Sequence, residues 1–299
     1  MFLALFLSVL LSAKEDSFKG LDKIEKPPFR IYHDTGEKLT SIILSAAEDA
    51  LLSLRENAGL EVPCDVTIVV LSNRKSYERF VKEKGGERFT VGVTFTERSL
   101  IVVDASAGHA ITSPASSVVR HELFHIALSQ FVSRNGVKVP LWFNEGVAQL
   151  FEQRAITRPE RQEIATLAKG GELPLFSFFE ETYPSDEYIR RIMYLSSVMF
   201  VSFLTNGKIS ELQPFFTALR EKRNFEESFR LIFGADVSSL EDVWRHSLAE
   251  DYSFWLQLLY RTNEFLFFGI LVIVTVVIYF IRRRRTLRQM DELEKTPPH

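Results

Sequence analysis

Cysteine is almost missing: Cys64 stands alone among 299 residues. That excludes an intramolecular disulfide and any metal site built from thiolates. Histidine is scarce, with six copies at His33, His109, His121, His125, His246 and His299. A metal would have to be held by a few imidazoles and carboxylates. No excess of positive charge exists either, since 36 Lys+Arg stand against 39 Asp+Glu and the sequence pI is about 6.1. No nucleic-acid partner is expected. The glycine patterns G-x-G-x-x-G, G-x-x-x-x-G-K-[ST] and G-x-S-x-G are absent, which removes three common routes to phosphate binding and serine hydrolysis. What remains is ordinary: 46% apolar and 25% charged residues. Such a chain is neither disordered, collagenous nor coiled coil as a whole, and it is long enough to bury a sizeable core.

Long apolar runs occur only at the two ends. Residues 1–13 (MFLALFLSVLLSA) are uncharged and are followed at once by Lys14, Glu15 and Asp16. This reads as a signal peptide cleaved after Ala13. It departs from the pattern in lacking Lys or Arg before the apolar stretch and in carrying the large Leu11, so an uncleaved anchor is the alternative. Phe265 to Ile281 is 17 residues without a charge. At about 1.5 Å per residue it covers most of a hydrocarbon layer of about 30 Å, and residues 264–281 read as a transmembrane helix. Arg282, Arg283, Arg284, Arg285 and Arg288 follow it, and the basic flank stays in the cytoplasm. The expectation is a single-pass protein of the cytoplasmic (inner) membrane. Residues 14–263 would face outward, residues 264–281 would contact the lipid bilayer, and residues 282–299 would form a short basic cytoplasmic tail. The tail holds six Lys+Arg against three Asp+Glu, leaving a mildly acidic outer domain. A domain outside the cytoplasm without disulfides is bacterial rather than eukaryotic in style.

Within the outer domain, residues 14–113 mix strand and helix patterns, and residues 114–263 are helical. Phe29–His33, Asp65–Leu71, Phe89–Phe95 and Leu100–Asp104 have the alternation or β-branched content of strands. Leu39–Leu54 places apolar residues at helical spacing, and Lys75–Lys84 is a short amphipathic helix stopped by Gly85-Gly86. Strands first and helices later predict an α+β fold with a small N-terminal mixed sheet and an all-helical C-terminal part.

One string carries chemistry: His121-Glu122-Leu123-Phe124-His125. Residues four apart lie one turn apart on a helix, so both imidazoles can reach one ion, with Glu122 about 100° round. Ser113 suits a helix cap and Pro114 the first helical position. Val118, Val119, Leu123, Phe124, Ile126, Leu128 and Phe131 make the helix apolar on nearly all sides. Two imidazoles and a carboxylate in such a core are costly unless paired or metal-bound. A second string, PLWFNEGVAQLFEQ at residues 140–153, brings Glu145 back after an Asn135-Gly136 turn. Trp142, Glu145, Gln149 and Glu152 fall at helical spacing. Two His and one carboxylate, with a fourth position left to water, make a catalytic rather than a structural zinc site, at one ion per chain.

His121-Glu122-x-x-His125 followed by Trp142-Phe143-Asn144-Glu145-Gly146-x-Ala148 resembles the gluzincin zinc peptidases, and most of all their peptidase MA-like set. The likeness is strong over 118–152 and loose over the rest of 89–250. It implies a short sheet before the metal helix and a Glu-bearing helix after it. It implies His121, His125 and Glu145 as metal ligands. Glu122 would be the general base, moving a proton from the attacking water to the leaving amine. Tyr194 resembles the tyrosine that steadies the oxyanion, with His246 as a second candidate. Leu100–Asp104 resembles the edge strand that takes extended substrate, and Gln149 or Glu152 could orient the zinc histidines. His33 and His109 read as structural. The exopeptidase motif G-x-M-E-N is missing, and Gly92–Glu97 (GVTFTE) does not match it. An endopeptidase acting on peptides or proteins is therefore expected. Two other readings stay open: a catalytically inactive module that binds a partner in the cleft, and a zinc hydrolase of a non-peptide amide. Substrate identity and oligomeric state are not legible.

The topology is testable. In intact cells a tag after His299 should be shielded from external protease until the membrane is breached, whereas residues 14–263 should be digested from outside. Digestion of the tag in intact cells would reverse the orientation.

Overall fold

The structure is a computed structural model and describes residues 18–63, 65–86, 91–106, 114–248 and residue 273. The expected signal peptide, the tail and all of the 264–281 span but Ile273 lie outside the described residues, as do Phe89, His109 and the expected cap Ser113. Among the described residues, no single helix is long and apolar enough to cross a membrane.

Two short strands open the fold, β1 (Asp22–Lys26) and β2 (Phe29–His33). The first has an almost wholly exposed pattern and no apolar alternation, so its sequence did not announce it. A helix α1 (Glu37–Ser53), which runs into a π-turn at Leu54–Ala58, crosses over to β3 (Val66–Leu71). Then come α2 (Arg74–Glu83), capped by the Asn73 side chain, β4 (Gly92–Phe95) and β5 (Leu100–Asp104). The five strands form one mixed sheet in the order β1-β2-β3-β5-β4. Strands β2, β3 and β5 run parallel, with β1 and β4 antiparallel at the edges. This overturns one expectation. Leu100–Asp104 is not an edge strand; it lies between β3 and β4 and is buried at every position. Its sequence LIVVD shows why: a strand with neighbours on both sides and cover on both faces reads as a continuous apolar run.

Alternation along the strands separates two apolar layers. Ile31, Val66, Ile68, Val70, Ile101 and Val103 face the large core with α1 and the later helices. Tyr32, Val69, Leu71, Leu100 and Val102 face α2, where Tyr77, Phe80 and Val81 close a smaller core.

The helical part begins with α3 (Ala115–Asn135), preceded by Pro114 as its flanking residue and ended by Gly136 in the left-handed region at φ 62°. Pro114 thus sits one position earlier than expected. Helix α4 (Leu141–Phe151) follows, then α5 (Arg158–Gly170), α6 (Glu187–Leu204), α7 (Gln213–Lys222) and α8 (Phe225–Phe233). A last helix is described over 237–248. Trp142 on α4 is the hub of an aromatic core, with ring centroids 4.7 Å from Phe176, 5.5 Å from Phe200 and 6.2 Å from Phe225. It therefore points away from Glu145 rather than sharing its face. The segment 173–176 is tied to the last helix. Arg245 donates to the carbonyls of Leu173 and Pro174, and Glu241 accepts from the Phe176 N–H at 3.1 Å.

Helices α4 and α6 meet at Gly146. A Cβ there would lie 2.6 Å from the carbonyl oxygen of Ser197, a backbone atom that cannot rotate away. Gly146→Ala should therefore cost about 1–3 kcal/mol by forcing the helices apart. Urea unfolding checks this, and an unchanged midpoint would show that the crossing has slack.

Candidate metal centre

Helix α3 brings up His121 and His125, one turn apart. Helix α4 returns antiparallel after the Gly136 turn and lays Glu145 against both. The His121 Nε2 atom lies 3.6 Å from Glu145 Oε2, and His125 Nε2 lies 3.7 Å from Glu145 Oε1. The three ligand atoms all fall within 4.8 Å of one another, a group that could hold a metal ion. Each nitrogen facing the centre is Nε2 because the other one is engaged elsewhere. His125 Nδ1 lies 2.9 Å from Asn144 Oδ1. His121 Nδ1 lies 3.0 Å from Glu152 Oε2, within ion-pair distance but outside hydrogen-bond angles.

The electrostatics fit a cation. Glu145 is buried, with 2% of its surface exposed, and burial alone would push its pKa up. The charges of His125 and His121 and the Tyr183 hydroxyl outweigh that and lower it to about 2. For His121, burial works against the proton, but the Glu145 and Glu152 carboxylates close by and the charge of Glu122 hold it well above the ordinary 6.5. Opposite charges are thus gathered within a few ångströms of one another. A divalent ion would replace the His121 proton, and the donor set of two imidazoles and one carboxylate is one that zinc accepts while keeping a position open.

Glu122 lies beside this centre on α3 and is also buried. Its Oε2 accepts a 2.5 Å hydrogen bond from the Thr94 hydroxyl of β4. The edge strand next to the centre is therefore β4, not β5.

Tyr194 on α6 reaches the same cleft, but the phenol that touches Glu145 belongs to Tyr183. Its hydroxyl donates to Glu145 Oε1 at 2.5 Å, and the two tyrosine rings are 6.3 Å apart. Loss of water around the hydroxyls and the nearby charge of Glu145 raise the pKa of both phenols, although the Tyr183 residue as a whole is 50% exposed, so both remain neutral donors. Tyr183 sits between α5 and α6 in TYPSDE, outside any periodic pattern, and no sequence signal marked it. Asn144 was within the motif but carried no assigned role. Gln149 does not touch the histidines. It donates to the Tyr194 carbonyl at 2.9 Å and to the Glu145 carbonyl at 3.3 Å, joining α4 to α6. Glu152 does face His121, as one of the two options required. His33 is buried with Nδ1 2.9 Å from the Thr35 carbonyl, a structural contact. His246 lies on the last helix, beyond Trp244 and Arg245.

A buried glutamate and two half-buried histidines, brought together by two antiparallel helices beside a mixed sheet, form a group that could hold a metal ion. The family model of the Peptidase MA superfamily matches residues 46–250, from the middle of α1 through the last described helix. The chain belongs to the Peptidase MA superfamily. A search of curated proteins gave no match.

Metal binding must expel the His121 proton. Because that proton is held above the ordinary histidine range, zinc affinity should rise as pH increases from about 6 to 8, with protons released on binding. Titration calorimetry in two buffers of different ionisation enthalpy reads both. A pH-independent affinity with no proton release would contradict this electrostatic account.

Proposed function

We propose that this protein is a membrane-anchored zinc metallopeptidase that cuts peptides or proteins outside the cytoplasmic membrane as an endopeptidase. The observation that carries the reading is the convergence of His121, His125 and Glu145 on one point, with the Glu122 carboxylate beside it. Family membership supports the reaction class. The anchoring rests on the apolar run 265–281 and its arginine flank.

His121, His125 and Glu145 would hold the ion. Zinc in such a site supplies Lewis acidity that polarises the scissile carbonyl and makes the attacking water acidic. Glu122 then takes the water's proton on a carboxylate oxygen and returns it to the nitrogen of the leaving amine. The neutral hydroxyl of Tyr194 is available to hydrogen-bond the carbonyl oxygen as negative charge develops on it, whereas the single proton of Tyr183 is given to Glu145. Asn144 and Glu152 keep each imidazole turned with Nε2 toward the centre. A substrate in extended form can align beside β4, whose only strand partner among the described residues is β5. Nothing in β4 supplies the carboxylate with which an aminopeptidase would fix a substrate's amino terminus, hence the endopeptidase assignment.

In the full-length protein, Glu145→Ala should lose most of the roughly one zinc per chain, measured by mass spectrometry. Glu122→Gln should keep the zinc and lose at least about 100-fold in casein hydrolysis. Hydrolysis by Glu122→Gln at the wild-type rate would sink the mechanism. Zinc-loaded wild type without turnover on any peptide would favour a binding module.

A further inference from the structure

Strand β4 does more than border the cleft. Gly92 and Thr94 are two apart and so face the same side, toward α3. Gly92 has no room for a side chain. A Cβ there would lie 2.3 Å from Val118 Cγ1 and 2.7 Å from Glu122 Oε1. The strand therefore rests directly on the Glu122 side chain. Thr94 Oγ1 lies 2.5 Å from Glu122 Oε2 and 3.3 Å from the backbone carbonyl of Glu122. Oε1 accepts no hydrogen bond among the described residues. One carboxylate oxygen is thus tethered and the other is left for chemistry.

From this contact we propose that Thr94 is the positioning residue for Glu122, fixing the rotation of its carboxylate through both halves of the proton transfer. The proposal rests on the peptidase reading above, since it presumes that Glu122 carries the proton. The geometry meets two demands at once. A hydroxyl has one proton to give. While Glu122 is ionised, the Thr94 proton goes to Oε2. Once Glu122 holds a proton on Oε1, Oε2 is the carbonyl oxygen of the acid and still accepts the Thr94 proton. The carboxyl group keeps a partner, and hence its orientation, in either state. A methyl group in place of the hydroxyl leaves Oε2 in a buried site without a donor, and the carboxylate is free to rotate away from the reacting atoms.

The test uses the full-length, zinc-loaded protein with casein carrying a self-quenched fluorophore as the probe. Thr94→Val, close in shape to threonine, should lower kcat about 10- to 100-fold with KM within about twofold, at unchanged zinc content and with the protein still folded at the assay temperature. Thr94→Ser should restore most of the rate. A Thr94→Val enzyme with wild-type kcat, a loss confined to KM, or no rescue by Thr94→Ser would overturn the proposal. A second readout does not depend on turnover. The infrared carboxylate band of the glutamate-labelled protein should shift between wild type and Thr94→Val, and the same comparison in the Glu122→Gln background should show no shift. No shift in the first comparison, or an equal shift in both, refutes the tether. If the band moves as expected but wild type hydrolyses nothing, the peptidase reading fails while the contact itself stands.

Discussion

Everything around the centre answers to one constraint, the burial of the Glu145 carboxylate between two helices. A carboxylate that is 2% exposed is expensive unless charge and hydrogen bonds surround it. Here two imidazole nitrogens stand under 4 Å away and a phenol donates to it. Those partners must be held rigidly, or the carboxylate would drag in water. The same crowding of opposite charges prepares the place for a divalent ion. The cost of folding around such a group and its fitness to hold a metal ion are thus two sides of one electrostatic arrangement.

The supports for that arrangement are apolar and steric. Trp142 and Phe143, in the turn before Glu145, anchor α4 in a cluster of phenylalanines. Gly146 lets α6 approach to backbone contact, and Gln149 joins α4 to the Tyr194 carbonyl of α6. The short W-F-N-E-G string therefore serves several purposes at successive positions. Two residues fill the core, Asn144 turns His125, Glu145 faces the centre and Gly146 admits the next helix. The clamp of Glu241 and Arg245 on residues 173–176 ties the last helix to the segment leading toward Tyr183.

The sheet contributes differently. Its parallel centre is a rigid platform, buried on both faces, and chemistry is confined to the edge. Strand β4 is exposed enough to meet a substrate and close enough to reach Glu122. In the proposed reaction it would connect substrate alignment with the Glu122 carboxylate.

By itself the sequence determined the metal helix, its two histidines, the return of a second helix with Glu145, and the division into a strand-rich and a helical part. These are legible because helix geometry converts a spacing of four residues into adjacency, and because buried periodic segments advertise themselves in apolar residues. It also carries the apolar ends and their charge asymmetry, which need no folding to be read. Only the tertiary structure decided that β4 rather than β5 is the edge strand, since strand order depends on pairing between distant segments and a four-residue strand has almost no pattern. Only the fold could bring Tyr183 to Glu145 from an irregular loop 38 residues away, or show that Thr94 meets Glu122 across 28 residues. Local periodicity reports which face of an element is buried; which side chain waits on the other side is set by packing, and packing has no period.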